Sequence, residues 1–134
     1  MSEGLILVLD HATVWAPLDR REDARWFYGS VLGLPEAPRG SGVLDDSGPL
    51  WFALGDGHYL LVTFEPVPLG AAAGSLALRV SAVSTVADAL RANGLDAHVG
   101  SVTDGNCRRC FCRDPFGNRL EFVEYLSAEG RGAA

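Results

Sequence analysis

The chain has 134 residues, 48% hydrophobic and 21% charged, with a formal net charge of −6. That length fits one globular domain of the usual roughly 100–200 residues, and the composition excludes a disordered or fibrous chain. The acidic balance argues against nucleic acid or an anionic membrane as partner. Because all 11 basic residues are arginine, Schiff-base and lysine-nucleophile chemistry are excluded as well.

The run Leu5 to Trp15, interrupted by Asp10-His11, predicts a first strand that Pro17 ends. Asp19, with Glu22 three residues on, predicts a capped helix. Ala24, Phe27, Tyr28, Val31 and Leu32 then recur at helical spacing, and Gly33 stops the pattern. Residues 38–49 read as loop with at most one short strand. Leu50–Leu54 and His58–Phe64 read as a hairpin around Gly55-Asp56-Gly57. Residues 66–74 read as a linker.

The order then repeats. Ser75–Val80 is a strand. Ser81 or Ser84 caps a helix through Leu90 that ends at Asn93-Gly94. Ala97–Val102, Arg109–Arg113 and Arg119–Leu126 are strands, separated by turns at Asp104-Gly105-Asn106 and Asp114 to Asn118. The tail 127–134 is expected to fray. Both halves read strand–helix–strand–strand–strand. Such a unit leaves one sheet face open, and two of them side by side curl into a cup that suits a small ligand.

Three cysteines, Cys107, Cys110 and Cys112, fall within six residues. An odd, clustered set is not a disulfide framework and fits a reducing compartment. Zinc needs four converging ligands, whereas strand parity separates Cys107 from the other two, so buried, inert thiols are expected. His58 and His98 fall at a hairpin exit and a strand start, where exposed or locally bonded imidazoles are expected. The acidic N-terminus and the short run Leu5–Leu9 do not make a signal peptide, and no stretch approaches the ~20 apolar residues of a membrane span. The expectation is a soluble, cytoplasmic protein. No phosphate-loop, dinucleotide or G-x-S-x-G motif occurs.

Three segments carry a family resemblance: Leu9-Asp10-His11-Ala12-Thr13-Val14; Ala24 to Leu34, with Phe27-Tyr28 and Val31-Leu32-Gly33-Leu34; and Arg113 to Phe122, with Asp114-Pro115-Phe116-Gly117-Asn118. Together they resemble the vicinal oxygen chelate superfamily, which includes glyoxalase I, bleomycin-resistance proteins, extradiol dioxygenases, fosfomycin-resistance proteins and methylmalonyl-CoA epimerase. The resemblance spans residues 5 to 126. It implies an α+β, glyoxalase-like fold: two βαβββ units, about 5–66 and 75–126, forming one domain with a cup-shaped mixed sheet and helices outside. Relatives commonly dimerise, so a homodimer whose second subunit borders the cup is expected.

In metal-dependent members four cup-facing side chains hold a divalent ion. The matching positions here are His11, Leu61, Ser75 and Glu121. Leu61 cannot ligate and Ser75 is a poor ligand, which leaves His11 and Glu121 as an incomplete set. A His11–Glu121 contact would orient the imidazole; the alternative for Glu121 is an ion pair with Arg79 or Arg109. Strand parity adds Thr13 and Trp15 to the face of His11, Tyr59 and Thr63 to that of Leu61, Ala77 and Arg79 to that of Ser75, and Val123 and Tyr125 to that of Glu121. Arg109 and Phe111 line the neighbouring strand. This aromatic, arginine-bearing lining suits a flat or anionic ligand.

Two functions follow from the resemblance. One is a binding protein of the bleomycin-resistance type, holding a small aromatic or anionic molecule with no cofactor. The other is a metal-dependent glyoxalase-like lyase or isomerase, or an extradiol dioxygenase-like enzyme, with His11 and Glu121 as metal or acid–base groups.

Overall fold

The computed structural model describes residues 4–37, 48–70, 74–102 and 106–126. Strand β1 (His11–Pro17) leads into helix α1, which opens as one α-turn over Arg21–Ala24 and continues in π geometry over Arg25–Val31. Strands β2 (Leu50–Ala53) and β3 (Tyr59–Glu65) follow, joined through a 3-10 turn at Gly55–Gly57. The second half holds β4 (Ser75–Arg79), α2 (Val83–Ala92), β5 (His98–Val99), β6 (Cys107–Arg113) and β7 (Arg119–Tyr125).

The strands form two sheets, ordered β1-β3-β2 and β4-β7-β6-β5. In each, the first strand of the unit lies parallel to its last strand, and the next strand is antiparallel. A single bridge from Glu36 to Phe52 lies on the outer side of β2, in the place β5 takes beside β6. The two halves share this order over three strands; among the described residues the fourth strand of the expected repeat is a strand only in the second half and a single bridge in the first. The registers correspond as well: Thr13 faces Leu61 in the first sheet where Ala77 faces Glu121 in the second.

Alternation decides which face is covered. Val14, Ala16, Leu60, Val62, Leu50 and Phe52 are buried, together with Ala24, Phe27, Tyr28 and Val31 of α1. Leu120, Phe122, Cys110 and Cys112 are likewise buried, with Val83, Ala87 and Leu90 of α2. All belong to one contiguous cluster. Each large side chain buried there contributes about 1.5–3 kcal/mol against exposure. The intervening residues of each strand point the other way and build the open faces. Gly29 of α1 faces Phe52 of β2, where a Cβ would make an ordinary van der Waals contact with the ring.

Several expectations need correction. The first strand begins at His11 rather than Leu5; Leu5–Leu9 have no strand beside them among the described residues and are 66–98% exposed. Asp19 does not cap α1: Arg20 takes the N-cap position without a side-chain bond and pairs with Asp23. Neither Ser81 nor Ser84 caps α2. Its N-cap is Ala82, and the Glu124 carboxylate, reaching across from β7, accepts the Val83 N–H at 2.9 Å. The strand expected at Ala97–Val102 shortens to His98–Val99, and its ladder ends where the Gly100 N–H meets the Arg109 carbonyl. The strand expected from Arg109 begins at Cys107. Residues 38–47 of the expected loop, 71–73 of the linker, Asp104-Gly105 and the tail lie outside the described residues.

A buried polar cluster ties the halves together. The Tyr28 hydroxyl donates to Asp114 Oδ2 at 2.5 Å, and Asp114 Oδ1 accepts the Phe116 and Asn118 N–H groups. Asn118 Nδ2 donates to Asp114 Oδ2 and to the Trp15 carbonyl, both at 2.7 Å, while its Oδ1 accepts the Gly74 N–H. Helix α1, strand β1, the approach to β4 and the β6–β7 turn thus meet on two side chains. At Gly74 a Cβ would stand 2.6 Å from Asn118 Oδ1, so only glycine fits without movement.

Burial, reinforced by the Asp114 carboxylate, holds the Tyr28 phenol well above the ordinary tyrosine range. Asn118→Ala should cost about 3 kcal/mol by leaving buried partners unpaired, and Gly74→Ala should destabilise through the same contact. Denaturant titration checks both. The folded Tyr28 value exceeds the unfolded value near 10, so its contribution is whole below that pH and is lost as pH rises above it. Tyr28→Phe should therefore lower stability near neutrality and flatten the alkaline loss. Phenolate absorbance should show one of the three tyrosines ionising only as the chain unfolds.

Candidate functional site

The open face of the second sheet follows from its register. Ser75, Arg119 and Arg113 lie in one row across it, Ala77, Glu121 and Phe111 in the next, and Arg79, Val123 and Arg109 in the third. Tyr125 and Cys107 close it. Four arginines therefore share this face with one carboxylate. Arg109 Nε donates to Glu121 Oε2 at 2.9 Å, with both side chains about one-third exposed. The Arg79 guanidinium lies 4.7 Å from the centre of the Tyr125 ring, and that of Arg119 lies 5.8 Å from Phe111. Arg113 is turned to the Gly117 carbonyl.

The open face of the first sheet is aromatic. His11, Thr13 and Trp15 of β1 pair with Tyr59, Leu61 and Thr63 of β3, and Trp51 and Ala53 of β2 extend the same face. His11 stands edge-on to Trp51 with centroids 5.2 Å apart, and Trp51 edge-on to Tyr59 at 6.0 Å. His11 Nδ1 lies 2.9 Å from the Asp10 carboxylate.

The sheets approach each other at Trp15 and Gly74, both held by Asn118. Beyond that point a cleft of about 860 Å³ opens between the units. His11, Tyr59, Ala77 and Arg79 line it on one side, and Leu32, Leu34, Leu76, Leu78 and Val86 give it an apolar wall.

Each of the two residues expected to work as a pair has another charged partner. His11 is bonded to Asp10, and Glu121 to Arg109, the partner named as its alternative. The donor chemistry does not fit a four-ligand divalent site. Leu61 offers no donor, Ser75 offers a hydroxyl, and a guanidinium already sits against Glu121, where a metal would have to compete. Among the described residues no three His, Cys, Asp or Glu side chains converge. Trp51, Ala53, Arg113 and Arg119 on the open faces escaped the sequence reading. Trp51 and Ala53 alternate with the buried Leu50 and Phe52, Arg113 lies two residues after Phe111 and Arg119 two before Glu121; parity applied to every strand finds all four.

With this geometry in view, comparison with known families matches residues 9–122 to the Glyoxalase/Bleomycin resistance protein/Dioxygenase superfamily. The chain belongs to that superfamily. Among solved structures, it is similar to a glyoxalase family protein from Bacillus anthracis, at 28% identity and a TM-score of 0.77, covering 93% of this chain and 100% of that one. A glyoxalase/dioxygenase from Nostoc punctiforme (20% identity, TM-score 0.72, covering 94% and 100%) shares the fold. So does a lactoylglutathione lyase from Agrobacterium tumefaciens (18%, 0.66, covering 90% and 96%). No curated protein matches the sequence significantly. The resemblance read from the three motifs is thereby established for the superfamily and its α+β fold. No helix among the described residues is long and apolar enough to cross a membrane.

The cysteines of this superfamily member are free and buried. Cys110 and Cys112 lie on the helix side in the core, and Cys107 lies on the open face opposite Tyr125. Burial, then Cys110 and Asp114, push the Cys112 thiol up to about 12, so almost no thiolate forms at neutral pH. The three thiols should resist an aromatic disulfide reagent in the native protein and react together once denaturant unfolds it. A fast-reacting native thiol would contradict this.

Proposed function

We propose that the protein binds a small, flat, anionic organic molecule on the open faces of its two sheets, with no metal required. The supporting observation is the four-to-one excess of arginine over carboxylate on the second sheet's open face, in a chain whose net charge is −6. Guanidinium groups bind carboxylates and phosphates through paired, charge-assisted hydrogen bonds. Phe111 and Tyr125 beside them, with Trp15, Trp51 and Tyr59 on the first sheet, supply ring faces and edges for a planar body. His11, Thr13, Leu61, Thr63, Ser75 and Val123 complete the lining. In this reading Arg109 neutralises Glu121 and keeps the face cationic.

The alternative is a metal-dependent lyase or dioxygenase built on His11 and Glu121, in line with the lactoylglutathione lyase that shares the fold. It requires Glu121 to leave Arg109 and His11 to turn from Asp10.

Benzoate and naphthoate serve as probes, with binding read by calorimetry in the presence of a chelator. Naphthoate should bind, more weakly at high salt. Arg79→Ala and Arg109→Ala should each weaken it about tenfold, while Arg91→Ala, on α2, should not. Wild-type affinity in both arginine variants would sink the binding reading. Stoichiometric metal lost on His11→Ala would support the enzyme instead.

A further inference from the structure

A second pocket, of about 740 Å³, lies at the outer corner of the second sheet, between the 94–97 loop after α2, the end of β6 and the start of β7. His98, Phe111, Arg113 and Arg119 line it from the open face. Arg113 and Arg119 are direct partners across the β6–β7 ladder, and both are exposed. Like charges placed opposite each other in a sheet destabilise it. An anion between the two guanidiniums removes that cost.

The two guanidiniums are oriented but not neutralised. Arg113 donates to the Gly117 carbonyl at 2.9 Å, and Arg119 lies over the Phe111 ring. Among the described residues no carboxylate bonds either one, whereas Arg20, Arg25 and Arg109 are each paired with one. Glu121, two residues from Arg119, is engaged by Arg109, and Asp114, next to Arg113, by Tyr28 and Asn118. Arg91 is turned to the Ala97 carbonyl and holds the loop as the far wall. Asp96 is the one carboxylate lining the pocket, against two exposed guanidiniums and the His98 imidazole.

We propose that this corner binds the phosphate group of a small phosphate monoester, held by Arg113, Arg119 and His98. Two guanidinium forks in register match the several oxygens and double charge of a terminal phosphate better than the single charge of a carboxylate. The imidazole adds an N–H donor whichever ring nitrogen carries the proton. The pocket exceeds the volume of a phosphate ion, and Leu95, Ala97 and Phe111 give the ester group an apolar wall. Arg79 and Arg109 lie in the row four residues further along the strands, about 13 Å away at the usual strand rise. The site therefore goes beyond the ligand reading above and stands without it.

Calorimetry on the full chain, in a phosphate-free buffer, tests the site with butyl phosphate, inorganic phosphate and butanesulfonate. None of these probes has a ring, so their result is separate from that of naphthoate. Butyl phosphate should bind once per chain, tighter than inorganic phosphate, which lacks the ester group. The singly charged sulfonate should bind about tenfold more weakly than butyl phosphate. Arg113→Ala and Arg119→Ala should each weaken butyl phosphate about tenfold. Arg119→Lys, which keeps the charge but loses the fork, should restore only part of that loss. Asp96→Asn should tighten binding by removing the opposing charge. Where Arg113→Ala disturbs the turn at Gly117, Arg119→Ala leaves that bond in place and is read instead. Arg25→Ala, which removes the same charge from α1, should leave butyl phosphate binding unchanged. Butyl phosphate that fails to saturate, or that binds both Arg113→Ala and Arg119→Ala as it binds wild type, would overturn the proposal. So would an equal loss in Arg25→Ala, or inorganic phosphate binding as tightly as the ester.

Discussion

Asn118 and Asp114 are the point on which the rest of the molecule turns. Two small sheets, each covered by one helix on one face, have little reason to hold a fixed mutual position through apolar contact alone. Hydrophobic attraction is not directional. The Asp114 carboxylate and the Asn118 amide supply direction: between them they bond Tyr28 of α1, Trp15 of β1, Gly74 before β4 and the turn from β6 to β7. The bonds lie where water is excluded, and an unsatisfied group there costs more than the bond gains. The arrangement is therefore specified by the penalty for leaving it. Both sheets are pinned at Trp15 and Gly74, and the cleft opens away from that pin.

That pin also determines where charge can accumulate. With α1 and α2 covering the inner faces, every strand residue of the opposite parity turns outward. In β6 and β7 those positions carry Arg109, Arg113, Arg119 and Glu121, and in β4 Arg79. A guanidinium on a half-exposed sheet keeps its hydration and rests on a neighbouring ring, as Arg79 does on Tyr125. The face stays cationic because its carboxylate is already held by Arg109 and because Glu124, two residues before Leu126, is turned to the start of α2. The absence of lysine sharpens this: each cation here is planar and forked, suited to oriented contact with planar anions.

Much of this was legible in the chain itself. The Phe-Tyr pair of α1 and the Asp-Pro-Phe-Gly-Asn turn pointed to the superfamily, and the same residues build the buried cluster of this chain. Period-two alternation assigned Thr13, Trp15, Tyr59, Arg79, Arg109 and Phe111 to open faces, since side-chain direction along a strand is a local property. What failed was non-local. Asp19 and Ser81 look like caps, but the N–H of Val83 is taken by Glu124, 41 residues away. Leu5–Leu9 have strand composition and, among the described residues, no strand beside them, because composition cannot supply a partner edge. His11 and Glu121 were expected as a pair, yet each is bonded to another charge.

The sequence alone therefore determined the architecture: two similar units, their order of elements and their buried faces. These follow from periodicity, turn chemistry and residue identity, all of which act over a few residues. The partners were settled only by folding: Arg109 for Glu121, Asp10 for His11, Glu124 for the start of α2, and a cleft between β1 and β4 that neither unit contains. Asp10 is adjacent to His11, and the choice between it and Glu121 is made by the fold; the other pairings are set by strand register and helix packing within the second unit, and the cleft by how the two sheets pack on Asn118.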